Sequence, residues 1–146
     1  MKPLGRLLSV VLFALLGLSC ELPLTGSHAE GARGVEIVEA QLGTRLRADK
    51  TIPTRRLSVE YRPQDTVYLA LRLYGSGTRV SLGVRWYYGN RLVEQARRIV
   101  VPDGLSRTSF EFAPPEGMNP GPHQVVVLLD GKEVKRLRFA VNAPRS

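Results

Sequence analysis

The sequence predicts an all-β domain of seven short antiparallel strands, and three observations carry that prediction. From Val35 onward apolar and polar residues alternate with period 2. Gly, Pro, Asn or Asp break the alternation at roughly ten-residue intervals, as turns between short strands do. No stretch keeps the spacing of an amphipathic helix. A chain of 146 residues, 43% of them hydrophobic, holds one such domain and excludes two with separate cores.

The first strand is expected from Val35 to Leu42, with Val38, Ala40 and Leu42 on one face opposite Glu39 and Gln41. Residues 43 to 65 are less regular, because Ile52-Pro53 and Arg62-Pro63 interrupt them, and a crossing or edge segment is expected around Leu57 to Tyr61. Thr66 to Tyr74 forms the second strand, with Val67, Leu69, Leu71 and Leu73 inward; Gly75-Ser76-Gly77 then turns the chain. In the third, Arg79 to Tyr88, the residues Val80, Leu82, Val84, Trp86 and Tyr88 share the inner face, and Ser81, Gly83, Arg85 and Tyr87 the outer one. Gly89-Asn90 closes it with a hairpin signal, since both residue types tolerate positive φ. Leu92 to Val101 is the fourth strand and Arg107 to Phe112 the fifth, with Phe110 and Phe112 inward. After a Pro- and Gly-rich connection come the sixth, His123 to Leu129, and the seventh, Glu133 to Val141, joined by a type I′ turn at Asp130-Gly131. Seven short strands linked by hairpins and one or two longer crossings make the pattern of an immunoglobulin-like or fibronectin type III-like sandwich over residues 35–142. A mature chain of this size buries about two-thirds of its unfolded surface, so its core needs neither metal nor disulfide.

Ahead of that domain, Lys2 and Arg6 precede the apolar run Leu7 to Leu18, then Ser19 and Cys20. This is the tripartite pattern of a secretory signal, and the apolar run is short of the roughly 20 residues that a spanning helix needs. Residues 1–19 are therefore an address and residues 20–34, mixing Pro, Gly and small residues, a flexible tether. Ser19 before Cys20 resembles the lipobox of bacterial lipoproteins, although Gly17 stands where that pattern usually has Leu, Val or Ile. The resemblance implies a lipid-bearing Cys20, several acyl chains at about 0.8 kcal/mol per buried methylene making the anchor permanent. Glu21, where inner-membrane lipoproteins usually carry Asp, implies the outer membrane; simple secretion is the alternative. Asp65-Thr66-Val67-Tyr68-Leu69, Arg85-Trp86-Tyr87-Tyr88 and the run from Gly121 through Asp130-Gly131 to Phe139-Ala140-Val141 also look like a recurrent bacterial extracytoplasmic domain. In that group the immunoglobulin-like sandwich carries no enzymatic chemistry. His123 stands where the group usually has Tyr.

Lys and Arg number 21 against 13 Asp and Glu, a formal charge of +8. Lys2 and Arg6 leave with the leader, so 19 basic residues face 13 acidic ones in the mature chain, a balance of +6. Export turns that charge away from nucleic acid and toward an acidic partner, lipid headgroups or anionic envelope polymers.

Enzymatic chemistry finds no purchase. Motifs for nucleophile elbows, zinc proteases and phosphate loops are missing from the sequence. His123 has the inward parity of a satisfied core-edge histidine, and Asp65, Asp103, Glu111, Glu116 and Asp130 fall in turns or on solvated faces. A single Cys excludes an intrachain disulfide, and with two His it leaves too few ligands for structural zinc. No cofactor is expected. A binding face is expected instead where the third, sixth and seventh strands lie side by side. Arg85, Tyr87, Arg136 and Arg138 would surround an apolar centre of Val126 and Leu128 there, the composition of an interaction hot spot, and the tether or a neighbouring subunit is the alternative cover for that centre. Trp86, with inward parity, is expected in the core rather than as a sugar platform. Arg45, Arg47, Lys50, Arg55 and Arg56 cluster before the second strand and make the competing site, an electrostatic contact with anionic lipid or polysaccharide. Arg91, Arg97 and Arg98 in the fourth strand are expected on solvated faces, where arginines at an edge also deter pairing with other strands.

Overall fold

The alternation becomes eight strands in a computed structural model that describes residues 34–145. These are β1 (Val35–Gly43), β2 (Glu60–Tyr61), β3 (Val67–Ser76), β4 (Val80–Tyr88), β5 (Arg91–Val100), β6 (Asp103–Phe112), β7 (Gly121–Leu129) and β8 (Lys132–Val141), with one 3-10 turn at Thr54–Arg56. The leader, Cys20 and the tether up to residue 33 lie outside the described residues. Among the described residues, no helix is long and apolar enough to cross a membrane. The strands form two sheets, ordered β1-β3-β6 and β2-β8-β7-β4-β5.

Inward parity from both sheets meets in one core. Leu69, Leu71 and Leu73 of the smaller sheet share it with Leu82, Val84, Val125 and Val127 of the larger. Trp86 on β4 stacks on Phe112 of β6 at 5.0 Å and 11°, and Phe139 of β8 meets its edge at 6.2 Å and 77°. Offset and edge-on aromatic pairs of this kind add to plain burial where the two sheets meet. His123 is inward, as its parity requires. Its Nε2–H donates to the Asn119 carbonyl at 2.8 Å, and its ring packs between Phe139 and Tyr88.

Three details differ from the sequence expectation. An eighth strand exists, and it is not antiparallel: Glu60 and Tyr61 pair parallel with Ala140 and Val141 of β8. Tyr61 drives this, since its ring packs edge-on to Phe139 at 5.4 Å and its hydroxyl donates to the Ser58 carbonyl at 2.9 Å. Val38 is exposed rather than inward, because the β1–β3 register shifts between Ile37 and Glu39. That bulge reverses the parity of the strand, so Val35 and Ile37 are buried before it and Leu42 after it. Finally, β6 starts at Asp103 rather than Arg107, and Gly104, at φ 67°, pairs in the ladder with Gly75, a residue expected in the turn after the second strand.

Candidate binding face

The outer surface of the larger sheet gathers residues from distant parts of the chain by register alone. Across β4, β7 and β8 the pairing sets Arg85 opposite Val126 and Val126 opposite Arg136. One step along, Tyr87 faces Gln124 and Gln124 faces Arg138; one step the other way, Gly83 faces Leu128 and Leu128 faces Glu133. Arg85, Tyr87, Val126, Leu128, Arg136 and Arg138 therefore lie on one face of the larger sheet. The apolar centre is not open, however: Val126 is 3% exposed and Leu128 6%. Central strands carry apolar residues on both sides when long side chains flank them. Arg136 is such a flank. Its Nε and Nη2 donate to the two Glu133 carboxylate oxygens, each at 2.8 Å, and its Nη1 donates to Gln124 Oε1 at 2.9 Å. This bidentate grip holds the Glu133 carboxyl below the usual carboxylate range and the Arg136 guanidinium above its own. Arg85 and Arg138 are exposed and Tyr87 half-buried, and among the described residues none of the three side chains has a hydrogen-bond or ion-pair partner.

Beside that centre lies a groove of about 700 Å³ between β5, β4 and β7, lined by Ser81, Gly83, Arg85, Gln95, Arg97 and Leu128 among others. It exists because Gly83 places no side chain in the middle of the face. A Cβ built there would meet only the Ala96 carbonyl oxygen and Leu128, all at 3.8 Å, which is ordinary contact. Leu128 and the glycine backbone form the floor, and the exposed Arg85 of β4 and Arg97 of β5 also line it. One end is tied by Asp130, whose N–H donates to the Ser81 carbonyl at 2.8 Å while its Oδ1 accepts from the Ser81 N–H at 2.9 Å. Gln95 and Arg97 were not expected in this site. The Gly89-Asn90 hairpin, which makes β5 the neighbour of β4, and a glycine inside a strand were the signals that point to them.

The competing cluster is a single loop. Between β1 and β2 the chain makes an excursion closed at its base by Thr44 N–H donating to the Arg56 carbonyl at 2.9 Å, and at its tip by Arg47 N–H donating to the Thr51 carbonyl at 2.8 Å. Arg45, Arg47, Lys50, Arg55 and Arg56 are all exposed on it. The loop's one acid, Asp49, accepts from the Thr51 hydroxyl and amide, and these bonds, with the nearby Arg107 and Arg47, lower its pKa. Buried Ile52 pins the loop against Gly43, where a Cβ would collide with the Ile52 side chain and lie 2.6 Å from the Arg56 carbonyl oxygen. Among the described residues no three His, Cys, Asp or Glu come together as metal ligands would.

No family model matches the chain. No curated protein matches it either. Among solved structures it is similar to the Pseudomonas fluorescens alkylpurine DNA glycosylase AlkC bound to DNA containing an abasic site analog, at 12% identity and TM-score 0.47, over 72% of this chain and 31% of that one. It is also similar to a β-glucosidase from Listeria innocua, at 13% identity over 71% of this chain and 16% of that one, with TM-score 0.46 for the complex with glucose and 0.47 for a second structure of that enzyme. The chain thus spans a minor part of each of these proteins.

Proposed function

We propose that this chain is an exported lipoprotein of the bacterial cell envelope, anchored through Cys20, whose sandwich is a non-catalytic binding or assembly module for an envelope protein. One observation carries the reading: the side chains of Arg85 and Arg97, unpartnered among the described residues, line a groove that also takes in Leu128. Paired guanidinium groups beside an apolar floor suit a partner segment with acidic and aliphatic side chains in alternation. Tyr87 and Arg138 extend the same face. The strand order supports an immunoglobulin-like sandwich, with β1, β3 and β6 in one sheet and β4, β7 and β8 adjacent in the other, as in that architecture.

The test uses the protein expressed in its own host. Wild type should capture a discrete partner from solubilised envelope, and Gly83→Val, which fills the groove, or Arg85→Glu with Tyr87→Ala should lose it while unfolding at an unchanged temperature. Equal capture by all three proteins would sink the reading. Leu128→Asp is unsuitable, because it would bury a carboxylate. Mass spectrometry of the mature N-terminus tests the anchor, and an unmodified terminus there would refute lipidation.

The cationic loop favours a second reading, docking on an anionic lipid or polysaccharide, because five exposed cations share it with one carboxylate. Binding to anionic vesicles that falls steeply with added salt and with Arg55→Ala plus Arg56→Ala would support it. Salt-insensitive binding would count against it.

A further inference from the structure

β5 is one of the two edges of the larger sheet, paired with β4 and with no other described strand. Its residues from Arg91 to Ile99 are all exposed, and it contains no proline, so it presents a long row of unpaired backbone groups. The side chains of Glu94 and Arg97 have no hydrogen-bond or ion-pair partner among the described residues. We propose that β5 pairs antiparallel with β5 of a second copy of this chain, about a two-fold axis at Ala96.

The side chains of the strand are complementary to themselves in that register and not in its neighbours. With Ala96 opposite itself, Glu94 of each copy faces Arg98 of the other, twice by symmetry. Gln95 faces Arg97, and the register shift of β5 at Val93 falls just outside this regular stretch from Glu94 to Arg98. Glu94 and Arg98 lie on one side of the strand, because they pair with Trp86 and Leu82, which both point into the core. Sliding the copy by two residues one way sets Arg97 against Arg97; sliding it the other way leaves Glu94 opposite Ala96. Like charges directly opposite are destabilising and opposite charges stabilising, so the arginines that keep foreign strands off this edge also select one partner and one register. Arg98 is already held for the contact. Its guanidinium lies 4.1 Å from the centre of the Phe110 ring and its Nη1 donates to the Thr108 hydroxyl at 3.0 Å, which lowers the cost of ordering it at an interface.

Sedimentation equilibrium of the full chain in detergent micelles, without any partner present, tests this separately from the groove. Wild type should show twice the chain mass. Glu94→Arg alone and Arg98→Glu alone should each show the mass of one chain, because each sets like charges opposite one another. An equimolar mixture of the two variants should recover the dimer, because opposite charges then meet again in both symmetry-related pairs. In a Cys20→Ser background, mild oxidation should join Ala96→Cys into a symmetric disulfide dimer and leave Arg107→Cys, on the β6 edge, unlinked. A monomeric wild type would overturn the proposal. So would a dimer that survives Glu94→Arg, or equal cross-linking at both positions, and the cross-link decides the matter even where Arg98→Glu disturbs the packing on Phe110.

Discussion

Trp86 shows how a single side chain joins the two sheets at a local cost. Its indole is 1% exposed and stacked on Phe112, yet its Nε1–H is buried with no hydrogen-bond partner among the described residues. An unmet donor of that kind costs about 1–3 kcal/mol, less than burial of the ring returns. Trp86→Ala should therefore lose about 3–5 kcal/mol in urea denaturation. Trp86→Phe, which keeps a ring against Phe112 and removes the orphaned N–H, should stay within about 1.5 kcal/mol of wild type. The inward position of Trp86 was legible from parity; the missing partner was not, because it depends on what two other strands bring near the indole. Glu133 makes a second prediction at this scale. Its folded pKa is depressed by the Arg136 hydrogen bonds, so the small stability they add is present above the ordinary glutamate range and is lost as pH falls through the lowered value. An NMR titration should find the Glu133 carboxyl ionising below that range, and the Arg136 Nε–H should exchange faster with water once the carboxyl is protonated.

Among the elements, the loop between β1 and β2 depends on one close approach. Gly43→Ala would press on Ile52 and on the Arg56 carbonyl, so the base of the loop must open. The expected loss is about 1–3 kcal/mol, as for overpacking elsewhere, and hydrogen exchange should speed up at the Thr44 and Ser58 amides that bond across that base. A cluster of basic residues was legible here from composition, whereas the hydrogen bonds that gather them on one loop were not. Strands β3, β4 and β8 matched their alternation closely. β1 did not, since an extra residue in one strand of a pair leaves no mark on the hydropathy of the strand itself, and only the register with β3 shows Val38 turned outward.

For the molecule as a whole, the core is one cluster fed by both sheets, with no second hydrophobic centre among the described residues to sustain either sheet alone. The emission of Trp86, the only tryptophan, and the far-ultraviolet circular dichroism should therefore follow a single coincident transition on unfolding. Two separated transitions would mean that the sheets come apart before they unfold. The sequence alone determined that the domain is all-β, where most strands run, which residues turn inward outside β1, and most of the turns that reverse the chain, because the pleat has a period of two and turn preferences are local. Only the tertiary structure decided that Arg85, Val126 and Arg136 stand in one row, that Gly83 opens a groove beside Arg97, and that β5 is left as an edge. Those are matters of which strands neighbour one another and in what register, and they are settled by packing between residues far apart in the chain.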